Sequence, residues 1–242
     1  MDAVIGWSLL LLLVCSSIVI SYYIFLNRVP QIDKDMFEKT SREKMVYEID
    51  NGDVLLFSGI TDGEKFMKGM TYSPWTHIGF VFKEKEIDPK SGAEIEKAYI
   101  FECDLGQRYK DSVRLMPLDE KLTHYKGEKC VCWLKLKTVP PASRPPIDQI
   151  MINVRYFLSK NEPMDFHLFS WMFSGNKYTT YVSKLWTPKR RFCSDLIASL
   201  LKKLQILKRV RPSVSYSPHD WLLNRVELED GYSYSSAKLV EL

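Results

Sequence analysis

A series of short apolar segments, separated by turn-forming residues, runs through the chain after residue 50. Asn51-Gly52-Asp53 is a turn signal, and the charged stretch 84–97 predicts a hairpin loop. Strands at such short spacing are typical of an antiparallel sheet. The predicted strands cover residues 54–57, 75–82, 98–103, 112–116 and 131–137.

Two helices are predicted after these strands. Proline is tolerated in the first turn of a helix, and Pro146 precedes apolar residues with helical spacing from Ile147 to Leu158. A second amphipathic helix is predicted over residues 192–207, with Cys193 in its first turn. Strands followed by helices are typical of the α+β class.

Residues 3–26 contain no charged side chain. A helix of this length spans a hydrocarbon core of about 30 Å. A cleaved signal peptide, the competing interpretation, would have a basic start, a shorter apolar run and a small-residue cleavage site. The segment therefore predicts one transmembrane anchor that contacts the lipid bilayer. Lysine and arginine follow this run and none precedes it, which predicts a single-pass protein with a cytoplasmic C-terminal part.

The predicted organisation has four parts: an anchor at 3–26, a juxtamembrane linker at 27–45, a catalytic domain at 46–225 and a tail at 226–242. A net charge of +4 and the absence of any recognisable motif do not indicate a nucleic-acid-binding protein. The oligomeric state and the role of residues 161–184 stay open.

The chain has five cysteines, an odd number without a regular framework of spaced pairs, so a disulfide scaffold is not expected. Cys130 and Cys132 form a C-x-C pair, for which zinc would need two further ligands. Alternate positions on one strand are the simpler interpretation of this pair. The cysteines are Cys15, Cys103, Cys130, Cys132 and Cys193.

Cys193 is the candidate nucleophile. A helix N-terminus stabilises a thiolate, and the basic residues 189–191 add positive potential. Among the histidines, His77 at the start of a strand is the candidate base, because histidine titrates near neutral pH. Glu102 ends an apolar strand and needs a partner there, so it is the candidate for orienting the base. The remaining histidines are His124, His167 and His219.

Each of these three residues also has an ordinary structural interpretation. Cysteine on an apolar helical face is commonly part of the core. A strand histidine can be a satisfied core residue, and a strand glutamate can pair with a lysine or face solvent. From residue type and spacing alone, both interpretations stay open.

Three segments, in order, carry a family resemblance: GDVLLF at 52–57, WTHIGFV at 75–81 and FCSDLI at 192–197. Together they resemble the circularly permuted branch of the NlpC-type papain-like superfamily, which includes YiiX-type bacterial proteins, a poxvirus family and, distantly, lecithin retinol acyltransferase relatives. SPHDW at 217–221 is similar to a late segment of these proteins. Thr76 and Asp195 depart conservatively from the family's usual serine and glutamate.

The resemblance implies a permuted papain-like domain, with an antiparallel sheet packed on the nucleophile helix. It implies a cysteine hydrolase or acyltransferase in which Cys193 attacks an ester, thioester or amide, His77 transfers the proton and Glu102 orients His77. The backbone N–H of Cys193 would donate to the oxyanion. No metal and no organic cofactor is implied.

The substrate class is not resolved between peptide, lipid and other acyl compounds, so amidase, peptidase and lipid acyl hydrolase all remain possible. The anchor and a basic group at and just after the end of the second helix favour a lipid or acylated substrate, although an ordinary solvated helix face explains these charges equally well. An alternative function is a catalytically inactive relative that acts as a membrane-bound scaffold or binding module. The basic residues are Lys202, Lys203, Lys208, Arg209 and Arg211.

Overall fold

A computed structural model of the chain describes residues 16–17, 29–104, 112–160 and 192–242. The described strands are β1 (Glu38–Thr40), β2 (Asp53–Phe57), β3 (His77–Ile87), β4 (Glu94–Asp104), β5 (Ser112–Pro117), β6 (Cys130–Leu134), β7 (Leu136–Thr138), β8 (Tyr232–Tyr234) and β9 (Lys238–Glu241). The described α-helices are α1 (Arg42–Glu48), α2 (Asp62–Thr71), α3 (Leu118–His124), α4 (Ile147–Lys160), α5 (Cys193–Lys203) and α6 (Pro218–Leu222). Short 3-10 helices cover Lys34–Met36 and Ser213–Ser215.

Seven strands form one large sheet in the order β1-β9-β6-β2-β3-β4-β5. Every neighbouring pair is antiparallel except β1 and β9, which are parallel. β7 and β8 form a separate antiparallel pair. Strand β1 lies in the segment predicted as a linker, and β8 and β9 lie in the predicted tail, so both segments contribute strands. The predicted division into functional parts stays a prediction.

Helices cover both faces of the sheet, because side chains along each central strand alternate between two apolar clusters. On β3, Ile78 and Phe80 join the cluster that α4, α5 and α6 cover, whereas Val81 joins the cluster under α1 and α3. All five residues of β2 and of β6 are buried. Burial of one large apolar side chain contributes about 1.5–3 kcal/mol, so the two clusters stabilise this mixed α+β arrangement.

The hairpin between β3 and β4 is longer than the sequence indicates. The predicted loop at 84–97 is wrong, because β3 continues to Ile87 and β4 begins at Glu94. Paired charges extend the ladder beyond the core: Lys85 Nζ lies 2.6 Å from Glu94 Oε1. Opposite charges across a ladder stabilise strand pairing. The charge of this stretch therefore reflects an exposed hairpin rather than a loop.

The prediction of an N-terminal transmembrane helix over residues 3–26 is wrong. Within the described part of the chain, no helix has the length and apolar character that crossing a membrane requires. The 14 residues of α4 rise only about 21 Å, and α4 buries a single face. Of the predicted anchor, only Ser16 and Ser17 are among the described residues. The single-pass localisation and the cytoplasmic orientation, which depended on this helix, are not retained.

A buried carboxylate fixes the start of β2. Asp53 is fully buried; its Oδ1 accepts from the backbone N–H of Leu136 and from Arg144 Nη1, both at 2.9 Å. Its Oδ2 accepts from Trp133 Nε1 at 2.9 Å. Burial raises the pKa of Asp53, and the Arg144 guanidinium opposes that increase. This group connects β2 to β6, to β7 and to the segment before α4.

Replacing Arg144 tests this group. Arg144→Met leaves the Asp53 carboxylate buried without its charged partner, so the free energy of unfolding should fall by about 3 kcal/mol. Urea denaturation measures the change. Arg42→Met is the control, because Arg42 pairs with Asp119 at the surface and such pairs contribute little. Equal losses in the two variants would contradict a structural role for the Asp53 group.

Candidate active site

His77 is the first residue of β3, at one end of the sheet. It lies opposite Phe57 of β2, and the two ring centroids are 5.6 Å apart. Thr76 fixes this strand start: its backbone N–H donates to Phe57 O at 2.9 Å, and its hydroxyl accepts from the Gly59 N–H at 3.0 Å. The His77 side chain is largely buried, with 13% of it exposed.

Glu102 of β4 reaches His77 diagonally across the two strands. The β3–β4 register pairs Phe80 with Phe101, which places Gly79 opposite Glu102. Glycine at position 79 makes room for the neighbouring strand, because a Cβ there would lie 2.4 Å from Ile100 Cδ1. His77 Nε2 and Glu102 Oε2 lie 2.8 Å apart. An ionised carboxylate only accepts hydrogen bonds, so Nε2 carries the proton.

The second oxygen of Glu102 binds two cations. Arg114, directly opposite Glu102 on β5, donates to Oε1 from Nε at 2.8 Å and from Nη2 at 2.5 Å. Lys121 Nζ of α3 donates to the same oxygen at 2.8 Å. Burial raises the pKa of Glu102, but Lys121, His77 and Arg114 together hold it well below its usual range. Glu102 is thus an ionised carboxylate without solvent exposure.

Cys193 is the first residue of α5, a helix that packs against β3 and β4. No side chain caps the start of this helix. The first N–H groups of a helix lack partners within it and favour negative charge. The Cys193 thiol, which is 6% exposed, hydrogen-bonds to the His77 ring. Because Nε2 is engaged by Glu102, Nδ1 is the ring nitrogen that faces the thiol.

The charge of the His77 ring depends on both neighbours. Burial by itself lowers the pKa of His77. The charge of Cys193 and hydrogen bonds with Cys193 and Glu102 outweigh burial and raise the pKa of His77 far above its usual value. The arrangement therefore favours a charged His77 ring beside an ionised Glu102 carboxylate.

The structure thus brings together the three residues singled out in the sequence, whose catalytic roles stay a prediction. Arg114 and Lys121 were not expected at the site. The sequence offered only a weak signal for Lys121, namely its position next to the apolar Leu122. The short helix that contains both residues was not predicted. The basic residues 189–191, the stretch 161–184 and His167 lie outside the described residues.

The other described histidines lie elsewhere. His124, exposed at the end of α3, has its Nδ1 2.9 Å from Glu120 O, and His219 lies on α6. Cys130 and Cys132 are buried at alternate positions of β6. In the described ranges, no group of three or more histidine, cysteine, aspartate or glutamate residues is arranged to hold a metal ion.

No protein-family model matches the chain, and no curated protein matches it. Among solved structures, the metalloprotein yiiX from Escherichia coli O157:H7 is similar at 17% sequence identity, with a TM-score of 0.40. The match covers 77% of this chain and 96% of that chain. yiiX is therefore a weak structural neighbour, and membership in the NlpC-type papain-like superfamily stays a prediction.

The charge coupling between His77 and Cys193 is directly measurable. In Cys193→Ala the thiolate charge and its hydrogen bond are lost while burial remains, so the pKa of His77 should fall by about one unit or more. An NMR titration of the His77 ring measures this change. Cys130→Ala, a buried substitution on β6, should leave the titration unchanged. An identical His77 titration with and without Cys193 would contradict the coupling.

Proposed function

We propose that this chain is a cysteine hydrolase or acyltransferase in which Cys193 is the nucleophile, His77 the acid–base residue and Glu102 the residue that orients His77. One observation carries the proposal: a single imidazole interacts with both a helix-start thiol and a buried carboxylate. A nucleophile, a base and a third group that orients the base form the general pattern of covalent acyl transfer.

The reaction begins with the Cys193 thiolate attacking the carbonyl carbon of an ester, thioester or amide. A C–S bond forms, and the carbonyl oxygen becomes an oxyanion to which the backbone N–H of Cys193 donates. The imidazolium of His77 then gives its Nδ1 proton to the leaving alcohol, thiol or amine as the C–O, C–S or C–N bond breaks. The product of this half-reaction is an acyl-enzyme with neutral His77.

The second half-reaction returns the site to its starting state. Neutral His77 removes a proton from water, or from an acceptor nucleophile, as that nucleophile attacks the thioester. The bond to Cys193 breaks, which regenerates the thiolate and the imidazolium. Water yields hydrolysis and another acceptor yields acyl transfer, so both products follow from one site.

Glu102 keeps the ring in the tautomer that this cycle requires. Since the ionised carboxylate accepts from Nε2–H, a neutral His77 has its lone pair on Nδ1, on the side of Cys193. Glu102 also stabilises the imidazolium without taking the proton itself. Its complete burial excludes the water that would otherwise compete for the Nε2–H group.

Selective alkylation tests the proposed nucleophile. Cys193 should react with iodoacetamide at pH 6 on the order of tenfold or more faster than Cys132, because Cys193 has His77 beside it as a base whereas burial raises the pKa of the Cys132 thiol. The reaction is carried out on the full-length chain. Digestion and mass spectrometry then identify the alkylated cysteine.

The matched control is His77→Asn, which keeps a polar side chain but cannot carry the charge. This substitution shortens the side chain, so access alone would speed alkylation, whereas loss of the imidazolium should slow it at pH 6. A slower reaction supports the enzyme. Equal slow labelling of Cys193, Cys130 and Cys132, unaffected by His77→Asn, would show that Cys193 is a core cysteine and would contradict the proposed function.

A further inference from the structure

The Glu102 carboxylate binds one titratable ring and two permanent cations. His77 occupies Oε2, while Arg114 and Lys121 share Oε1. With one carboxylate and two cations, this group carries one net positive charge before His77 is counted. A buried carboxylate without these cations would disfavour a thiolate nearby and would itself tend to take up a proton.

Both cations are held at the Glu102 oxygen that His77 does not use. Arg114 approaches from β5, the neighbouring strand. Lys121, with only 7% of its side chain exposed, approaches from α3 and lies 5.1 Å over the ring of Phe57. Phe57 in turn packs against His77. Contact with Glu102 and Phe57 therefore places Lys121 so that it acts on His77 through these two neighbours.

We propose that Lys121 and Arg114 are positioning residues that set the lowest pH at which Cys193 reacts, because they bind the Glu102 carboxylate that orients His77. The inference rests on the proposed function and adds two residues that the motif resemblance does not contain. Neither residue is assigned a contact with the reacting atoms.

The direction of the effect follows from the groups that face His77 and Glu102. In the part of the chain that the structure describes, these are Cys193 on α5, Arg114 on β5 and Lys121 on α3. Removing one cation lets Glu102 take up a proton at a higher pH, which weakens its hydrogen bond with His77. The weaker bond leaves His77 less well oriented toward Cys193, which moves the start of Cys193 reactivity to higher pH.

The experiment is the pH profile of Cys193 alkylation between pH 4 and pH 9, measured on the full chain by mass spectrometry. Lys121→Met should shift the rising limb upward by about one pH unit, which is about tenfold slower alkylation at pH 6. Arg114→Met should shift it in the same direction, whereas Arg114→Lys, which keeps the charge, should retain most of the wild-type profile. Thermal unfolding of each variant shows which of them fold.

A double substitution separates action through Glu102 from a general structural role. In a Glu102→Gln background the carboxylate is absent, so adding Lys121→Met should shift the limb much less than in the wild-type background. A structural role would lower the unfolding temperature and leave the position of the limb unchanged in both backgrounds.

The outcomes distinguish this inference from the function on which it rests. If wild-type Cys193 is already alkylated rapidly at low pH, and the rising limb of its pH profile does not move in Lys121→Met or Arg114→Met, the inference is overturned and the proposed function stands. If wild-type Cys193 is not alkylated rapidly at low pH, the proposed function fails and the inference fails with it. Should Lys121→Met not fold, the Arg114→Met and Arg114→Lys pair decides.

Discussion

A carboxylate removed from water must be compensated, and Glu102 is the point at which that requirement organises this protein. Its two oxygens accept from His77, Arg114 and Lys121, which come from two neighbouring strands and one helix. Because an unpaired buried charge is very unfavourable, the three partner side chains must keep their positions around the carboxylate. The same contacts that satisfy Glu102 therefore fix the His77 ring against the start of α5, where Cys193 lies.

The chain contains a second fully buried carboxylate, and the contrast between the two is informative. Asp53 is satisfied by Trp133, Arg144 and a backbone N–H, none of which titrates near neutral pH. Glu102, in contrast, has a histidine partner that also hydrogen-bonds to a thiol. Buried ion pairs contribute little to stability compared with apolar packing, so retaining one beside a histidine and a cysteine is typical of a reactive site. Asp53 supports the architecture, and Glu102 supports the proposed chemistry.

Much of the local structure was predictable because it depends on neighbours in the sequence. Short apolar segments indicated β2, β4 and β5 within a few residues, and prolines followed by apolar residues at helical spacing indicated α4. The charged stretch 84–97 was misinterpreted as a loop, since exposed cross-strand charge pairs look polar in sequence yet extend a hairpin. The apolar run 3–26 was interpreted as a transmembrane helix, whereas no helix in the described part of the chain is long and apolar enough to cross a membrane.

For the site, the sequence determined which residues have the right chemistry: a cysteine at a predicted helix start, a histidine at a strand start and a glutamate in an apolar strand. These properties are local. The tertiary structure alone decided that His77 and Glu102, 25 residues apart, meet through the β3–β4 register with Gly79 between them. It also decided that Arg114 and Lys121 share the other carboxylate oxygen. Strand register and helix docking depend on contacts between distant segments, and no spacing in the sequence encodes those contacts directly.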